Sequence, residues 1–311
     1  MKTNISLILI LCLLLGACKN GNASSQSKSE TPQDTIKAIK MPAIPQMMTA
    51  PEQRADFLAK HYWDNVNFAD TNYIHHPEVT EQAWADYCDL LNHVPLETAQ
   101  QAMRNVIDRT NVDKKVFTYI TDLADKYLYD PNSPMRNEEF YIPVLEAMIA
   151  SPVLNETEKI RPQARLKLAQ KNRIGTKALN FTYTLASGAQ GSLYQLKAEY
   201  LLLFINNPGC QACTETIEGL KNAPIINQLL QEKKLVLLSI YPDEELDEWK
   251  KHLSEFPNEW INGYDKKFTI KEEQVYDLKA IPTLYLLDKD KTVLLKDATA
   301  PTIEAYLMQH Q

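Results

Sequence analysis

A chain of 311 residues is long enough for about two domains of 100 to 200 residues each. Its 44% hydrophobic and 23% charged content is that of a folded protein and excludes a collagen-like or largely disordered chain. With 33 basic residues against 40 acidic ones, a net charge of -7 repels phosphate backbones, and only 8 glycines leave little room for a Gly-rich phosphate loop. Nucleic acid is therefore not expected as a partner, and nucleotide chemistry is disfavoured.

In chain order, the first element is an export signal. Lys2 supplies a positive start, Ile5 to Leu15 is apolar except for Ser6, and Gly16 and Ala17 precede Cys18. The run is well short of the ~20 apolar residues that a spanning helix needs. Leu15-Gly16-Ala17-Cys18 resembles the lipobox of bacterial lipoproteins. That resemblance implies a signal peptide over 1–17, cut before Cys18, and acyl chains on Cys18, each buried CH2 adding ~0.8 kcal/mol to membrane binding. The plainer reading, a secretory signal with an incidental cysteine, also exports the protein. The expected location is the cell envelope, with the chain lipid-anchored to a bacterial membrane and facing the periplasm. Residues 18–48, largely Ser, Asn, Lys, Gln and Pro, have the composition of a flexible tether.

Residues 49–173 read as an all-α domain without glycine, in which no position is expected to need positive φ. Pro51 and Glu52 mark the start of one helix. Val79, Ala83, Tyr87 and Leu91 form a stripe on the next, with Trp84 and Cys88 one step round. Helices follow over Leu96 to Ile107 and Val116 to Tyr127, and Pro143 and Pro162 are expected to end or kink two later ones. The aromatic residues, Trp63, Phe68, Trp84, Phe140 and Tyr141 among them, read mostly as core.

Residues 174–311 change pattern. Strands are expected over Asn180 to Leu185, Tyr200 to Ile205 and Leu235 to Ile240, with helices starting near Cys213 and over Glu244 to Leu253. Thr283 to Leu287 and Thr292 to Lys296 read as a hairpin around Asp288-Lys289-Asp290-Lys291, a turn too polar to bury, before a helix over Thr302 to Met308. A parallel start with an antiparallel end suggests an α/β thioredoxin-like fold.

Five cysteines sort by position. Cys12 leaves with the signal, Cys18 is the lipidation candidate, and Cys88 lies beside an apolar helix face, where a free cysteine behaves as a small hydrophobe. Cys210 and Cys213 form a C-x-x-C between an apolar strand and a helix, where unpaired amides and the helix dipole stabilise a thiolate. A structural disulfide closing a tiny loop is the bland alternative. Zinc is not expected, because neither a second C-x-x-C nor an H-x-x-x-H is present to complete four ligands. Ala280-Ile281-Pro282-Thr283 precedes an apolar strand and is expected to form the wall opposite the cysteine pair.

These motifs together resemble the thioredoxin-like superfamily, nearest to the membrane-tethered thiol-disulfide oxidoreductases of the TlpA and ResA type. The resemblance implies a cis peptide at Ile281-Pro282, Cys210 as attacking thiol, Cys213 as resolving thiol, and substrate contact along Ile281, Pro282 and Thr283. Two features depart from the family pattern: the spacer is Gln211-Ala212, and Phe204 stands where thioredoxins keep a buried acid. Glu215 and Glu218, at the expected helix start, read as dipole partners and not as replacements for that acid. The helical region, through Asp130-Pro131-Asn132-Ser133-Pro134 and Asn137-Glu138-Glu139-Phe140, resembles an uncharacterised domain that precedes thioredoxin-like domains in lipoproteins of Gram-negative bacteria.

The expected activity is disulfide exchange with periplasmic protein thiols and disulfides, in the reducing direction that the resemblance favours, with an upstream redox donor and no cofactor or metal. The competing class is a non-catalytic binding lipoprotein that uses the fold as a scaffold around a structural disulfide.

Overall fold

The computed structural model describes residues 38–310, so Cys12, the lipidation candidate Cys18 and most of the expected tether lie outside the described residues. The last stretch of that tether is not free. Residues 38–48 lie along the helical region, with Ile39 packed against its core and the Lys40 carbonyl accepting from Asn65 Nδ2 at 2.9 Å.

Six helices follow: α1 (Pro51–His61), α2 (Pro77–Leu91), α3 (Leu96–Arg109), α4 (Lys114–Ala124), α5 (Glu138–Ala150) and α6 (Glu156–Ala169). Their ends are set by local chemistry. The Asp113 carboxylate accepts from the amides of Lys115 and Val116 at the start of α4. Asn155 and Glu158 cap α6 reciprocally, each side chain accepting from the other's backbone amide. The expected stripe on α2 is buried at Ala83, Trp84, Tyr87, Cys88 and Leu91 and packs with Trp63, Met103, Ile107, Phe117 and Ile120 in one core.

Pro143 and Pro162 are expected to end or kink their helices, and neither ends one: α5 runs through Pro143 and α6 through Pro162. Proline at 143 frees the carbonyl of Glu139, which Gln100 Nε2 then engages at 3.0 Å. Glu158, four residues before Pro162, is exposed, so water can serve its carbonyl. Positive φ is also present, at Asn172 (φ 50). Asn tolerates that conformation, and the buried Asn172 amide donates to the Val275 carbonyl at 2.7 Å and accepts from the Leu179 amide at 2.8 Å.

The remainder of the chain builds a seven-stranded mixed sheet. Its strands are β1 (Thr182–Leu185), β2 (Gln190–Ser192), β3 (Tyr200–Ile205), β4 (Leu235–Tyr241), β5 (Ile261–Tyr264), β6 (Thr283–Asp288) and β7 (Val293–Lys296), in the order β2-β1-β5-β4-β3-β6-β7. The β3–β4 and β4–β5 pairs are parallel and the others antiparallel. Helices α7 (Gln211–Lys221), α8 (Pro224–Gln231) and α11 (Ala300–Gln309) cover one face, and α9 (Leu246–Lys251) and α10 (Thr269–Glu272) complete the element set. Leu202 and Phe204 of β3 join Ile217, Ile226 and Ile303 on the helix-covered face. Leu201, Leu203 and Ile205 join Phe181, Ile240 and Tyr276 on the other, so a strand buried on both faces reads as one apolar run.

The turn after β6 also differs from expectation, because Lys291 is buried. It takes φ 70, its ammonium donates to the Lys289 carbonyl, and its own carbonyl accepts from Ala178 across the turn. Among the described residues, no helix is long and apolar enough to cross a membrane.

Candidate functional site

Strand β3 is flanked by β4 on one side and β6 on the other, and the antiparallel β3–β6 register sets Ile205 opposite Thr283. The segment leaving β3 and the segment entering β6 therefore meet at one end of the sheet. Beyond Ile205, the buried Asn206 donates from Nδ2 to Ser239 Oγ at 2.7 Å and to the Phe204 carbonyl at 3.2 Å, holding the exit of the strand. Gly209, at φ 70, then turns the chain into α7.

Cys210 is the N-terminal cap residue of α7 and Cys213 the helix's third residue. Their exposure differs. Cys210 is partly exposed, whereas Cys213 is 2% exposed behind it. Burial pushes the Cys213 thiol up to about 12, the Asn207 amide 3.5 Å from its sulfur opposes that rise, and the Cys210 sulfur adds to it. Phe204, in the position of the buried acid, is wholly enclosed in the apolar core. Glu215 and Glu218 do not serve the helix dipole as expected. The helix starts at Gln211, which moves both out of the first turn, and they face solvent, Glu215 accepting from Gln211 Nε2 and Glu218 paired with Lys221. Cys88 stays apart in the helical core, its thiol also raised to about 12 by burial.

Opposite the cysteines, the Ile281–Pro282 peptide is cis, and the Ile281 carbonyl lies 3.9 Å from Cys210 Sγ. Thr283, the first residue of β6, is buried and donates from Oγ1 to the Ala280 carbonyl at 2.6 Å. Its hydroxyl is engaged within its own loop, and with Ile281 and Pro282 the residue lines a groove of about 560 Å³ bordered also by Ala212, Thr216 and Pro301.

The groove has a further wall that sequence reasoning missed. Pro131, Asn132 and Arg136, from the connection between α4 and α5, line it from the helical region. Beneath it lies a buried ionic cluster. Lys279 Nζ stands 3.1 Å from Asp297, 3.2 Å from Asp277 and 3.3 Å from Glu138, under the ring of Tyr129 at 5.2 Å. Lys296 pairs with the second oxygen of Glu138. Burial lowers the pKa of the Lys279 ammonium, but the three carboxylates outweigh it and the net shift is upward. For Glu138 the balance reverses, and burial raises its carboxyl above the ordinary range despite two lysines. These residues are up to about 160 positions apart, so no local pattern announces them. Among the described residues, no group of three or more His, Cys, Asp and Glu is arranged to hold a metal.

A C-x-x-C pair at a helix N-terminus, beside a cis-proline loop at one end of a mixed sheet, defines a thioredoxin-like protein. Comparison with known proteins agrees. Residues 198–293 match the family described as thioredoxin-like, and residues 17–172 match a domain of unknown function, DUF5106. A crystal structure of a thioredoxin-like protein from Bacteroides caccae is 83% identical, covering 89% of this chain and 100% of that one with a TM-score of 0.87. The chain belongs to this thioredoxin-like family. The C-terminal domain of an uncharacterised protein from Bacteroides fragilis is 69% identical over 44% of this chain and 98% of its own, with a TM-score of 0.44. The thioredoxin domain of a thiol-disulfide oxidoreductase from Bacteroides vulgatus is 21% identical over 43% of this chain and 98% of its own, with a TM-score of 0.39. No curated protein matches the chain.

Two outcomes follow from this geometry. A raised Cys213 pKa means little thiolate at neutral pH and about tenfold more for each unit of rising pH below about 12. Release of a mixed disulfide formed at Cys210, followed by rapid mixing, is therefore expected to accelerate about tenfold per unit between pH 7 and pH 9; a flat profile would contradict it. Lys279→Met removes the cation that three carboxylates share, and is expected to cost about 3–5 kcal/mol in denaturant unfolding, as loss of one partner of a buried pair does. A change below about 0.5 kcal/mol would show that the cluster is not held by Lys279.

Proposed function

We propose that this protein is an exported, lipid-anchored thiol-disulfide oxidoreductase of the bacterial cell envelope that reduces disulfides in periplasmic protein partners. The observation that carries the reading is the pairing of a partly exposed Cys210, its sulfur 3.9 Å from the Ile281 carbonyl beside the cis-proline, with a buried Cys213 three residues on. The anchor at Cys18 and the periplasmic location rest on the leader sequence.

The chemistry needs two sulfurs and no cofactor. The Cys210 thiolate attacks one sulfur of a partner disulfide; the partner's S–S bond breaks, its second sulfur leaves as a thiolate and takes up a proton. The mixed disulfide now joins Cys210 to the partner. Cys213 loses its proton and attacks Cys210 Sγ, the mixed disulfide breaks, and the partner's first sulfur leaves as a thiol. In sum, the protein dithiol gives two electrons and two protons to the partner and becomes a disulfide. An upstream dithiol donor must then reduce it again. Burial keeps Cys213 protonated and unreactive towards other electrophiles until Cys210 holds a partner next to it.

Dithiothreitol-driven reduction of insulin tests the reading. The wild-type protein is expected to accelerate it, Cys210→Ser to return it to the dithiothreitol background, and Cys213→Ser to slow turnover while a mixed disulfide accumulates at Cys210. A wild-type protein no faster than the background would point instead to a sealed, structural pair.

A further inference from the structure

The connection between α4 and α5 is built to hold a shape. Asn132 donates to Asp130 Oδ1 at 2.8 Å, Ser133 Oγ donates to the Tyr127 carbonyl at 2.6 Å, and the Asn137 amide reaches the Leu128 carbonyl at 3.0 Å. Glu138 of α5 ties it to Lys279, two residues before Ile281, and Arg136 Nη2 donates to the Asp297 carbonyl at 2.6 Å. The helical region is thus fastened to two loops that border the groove, the one before β6 and the one after β7.

Charge along the groove is uneven. The Asp297 carboxylate is one of three that share Lys279. Glu215 stands on the cysteine side, engaged by a neutral amide. Arg136, on the helical side, contacts a neutral backbone carbonyl and has no carboxylate within ion-pair distance among the described residues. A guanidinium carries five donors in a planar fork, so most of its capacity for a carboxylate is unused. Between these charges the lining mixes apolar Pro131, Ile281, Pro282 and Pro301 with the polar Asn132, Thr216, Thr283 and Thr299.

We propose that the groove is a composite docking site, made jointly by the helical and thioredoxin-like regions, for an extended segment of a partner protein that carries an acidic side chain a few residues from its reacting cysteine, with Arg136 as the recognising cation. This assignment rests on the oxidoreductase reading and adds the class of partner. The helical region acts in it as a specificity element, since it alone supplies the cation.

The test uses full-length protein in detergent, reduced beforehand, and two symmetrical peptide disulfides identical except for Asp or Lys at the third residue on either side of the cysteine. Each reaction converts one peptide disulfide into two peptide thiols and the protein dithiol into its disulfide. At low salt the wild-type protein is expected to favour the Asp peptide about threefold to fivefold, a preference that shrinks with added salt. Arg136→Gln is expected to lower the Asp-to-Lys ratio and Arg136→Glu to bring it below one. Because both peptides are compared on the same protein, a general loss of activity does not affect the ratio. The same ratio in all three proteins would overturn the proposal, and so would a wild-type preference for the Lys peptide. The neutral disulfide of 2-mercaptoethanol separates the two levels. If the wild-type protein fails to react with it, the oxidoreductase reading fails; if it reacts and the ratio ignores residue 136, only the composite groove does.

Discussion

The antiparallel pairing of β3 with β6 is the constraint on which the site depends. Because Ile205 is opposite Thr283, the last residues of one strand and the first of the other come off the same end of the sheet. Cys210 follows from one and Ile281–Pro282 precedes the other, so a backbone register brings together groups about 70 residues apart. The register is itself fixed by burial on both faces. A slip of one residue would move Leu202, Phe204, Leu284 and Leu286 out of the layer formed with α7, α8 and α11. Each such side chain contributes roughly 1.5–3 kcal/mol when fully buried.

A second constraint joins the helical region to the first. Three carboxylates and two ammonium groups share a site with little water, which is costly unless every member is paired. The upward shift at Lys279 and the upward shift at Glu138 show which charge the cluster favours. Attractions of roughly 4 kcal/mol each, at an effective dielectric near 20, are enough for three carboxylates to outweigh the desolvation of one ammonium. They are not matched at Glu138, where burial dominates. Lys279 is therefore the centre of the cluster, and its place two residues before Ile281 ties the redox loop to a helix that lies 141 residues earlier in sequence.

Much of this was legible from local pattern. The apolar run of β3, the C-x-x-C after it and the proline before β6 are contiguous signals, and the fold places Cys210, Cys213, Ile281 and Pro282 together. The helical stripes were equally readable, since burial at a period of 3.6 follows from the helix itself. Strand β5, Ile261-Asn262-Gly263-Tyr264, was not. Its alternation is weak, and it is defined by partners, β4 on one side and β1 on the other. Pro143 escaped the rule against interior prolines because Gln100, from another helix, takes up the freed carbonyl. Lys291 is buried in a turn that composition marks as polar, because its stem is enclosed while its ammonium finds a carbonyl. Thr283 was expected to meet substrate; it lines the groove beside Ile281 and Pro282 while its hydroxyl bonds within its own loop. The groove wall at Arg136 and the Lys279 cluster left no trace in sequence, since both depend on how two regions pack.

The reduction potential of the Cys210–Cys213 pair, measured on the full-length protein equilibrated against glutathione or dithiothreitol buffers, bears most directly on whether these sulfurs exchange. A partly exposed Cys210 backed by a buried, protonated Cys213 is expected to give a value within the span of known exchangers, roughly -120 to -270 mV. A value well below about -300 mV, with Cys210 inert to thiol reagents, would mean a structural disulfide and contradict the oxidoreductase reading.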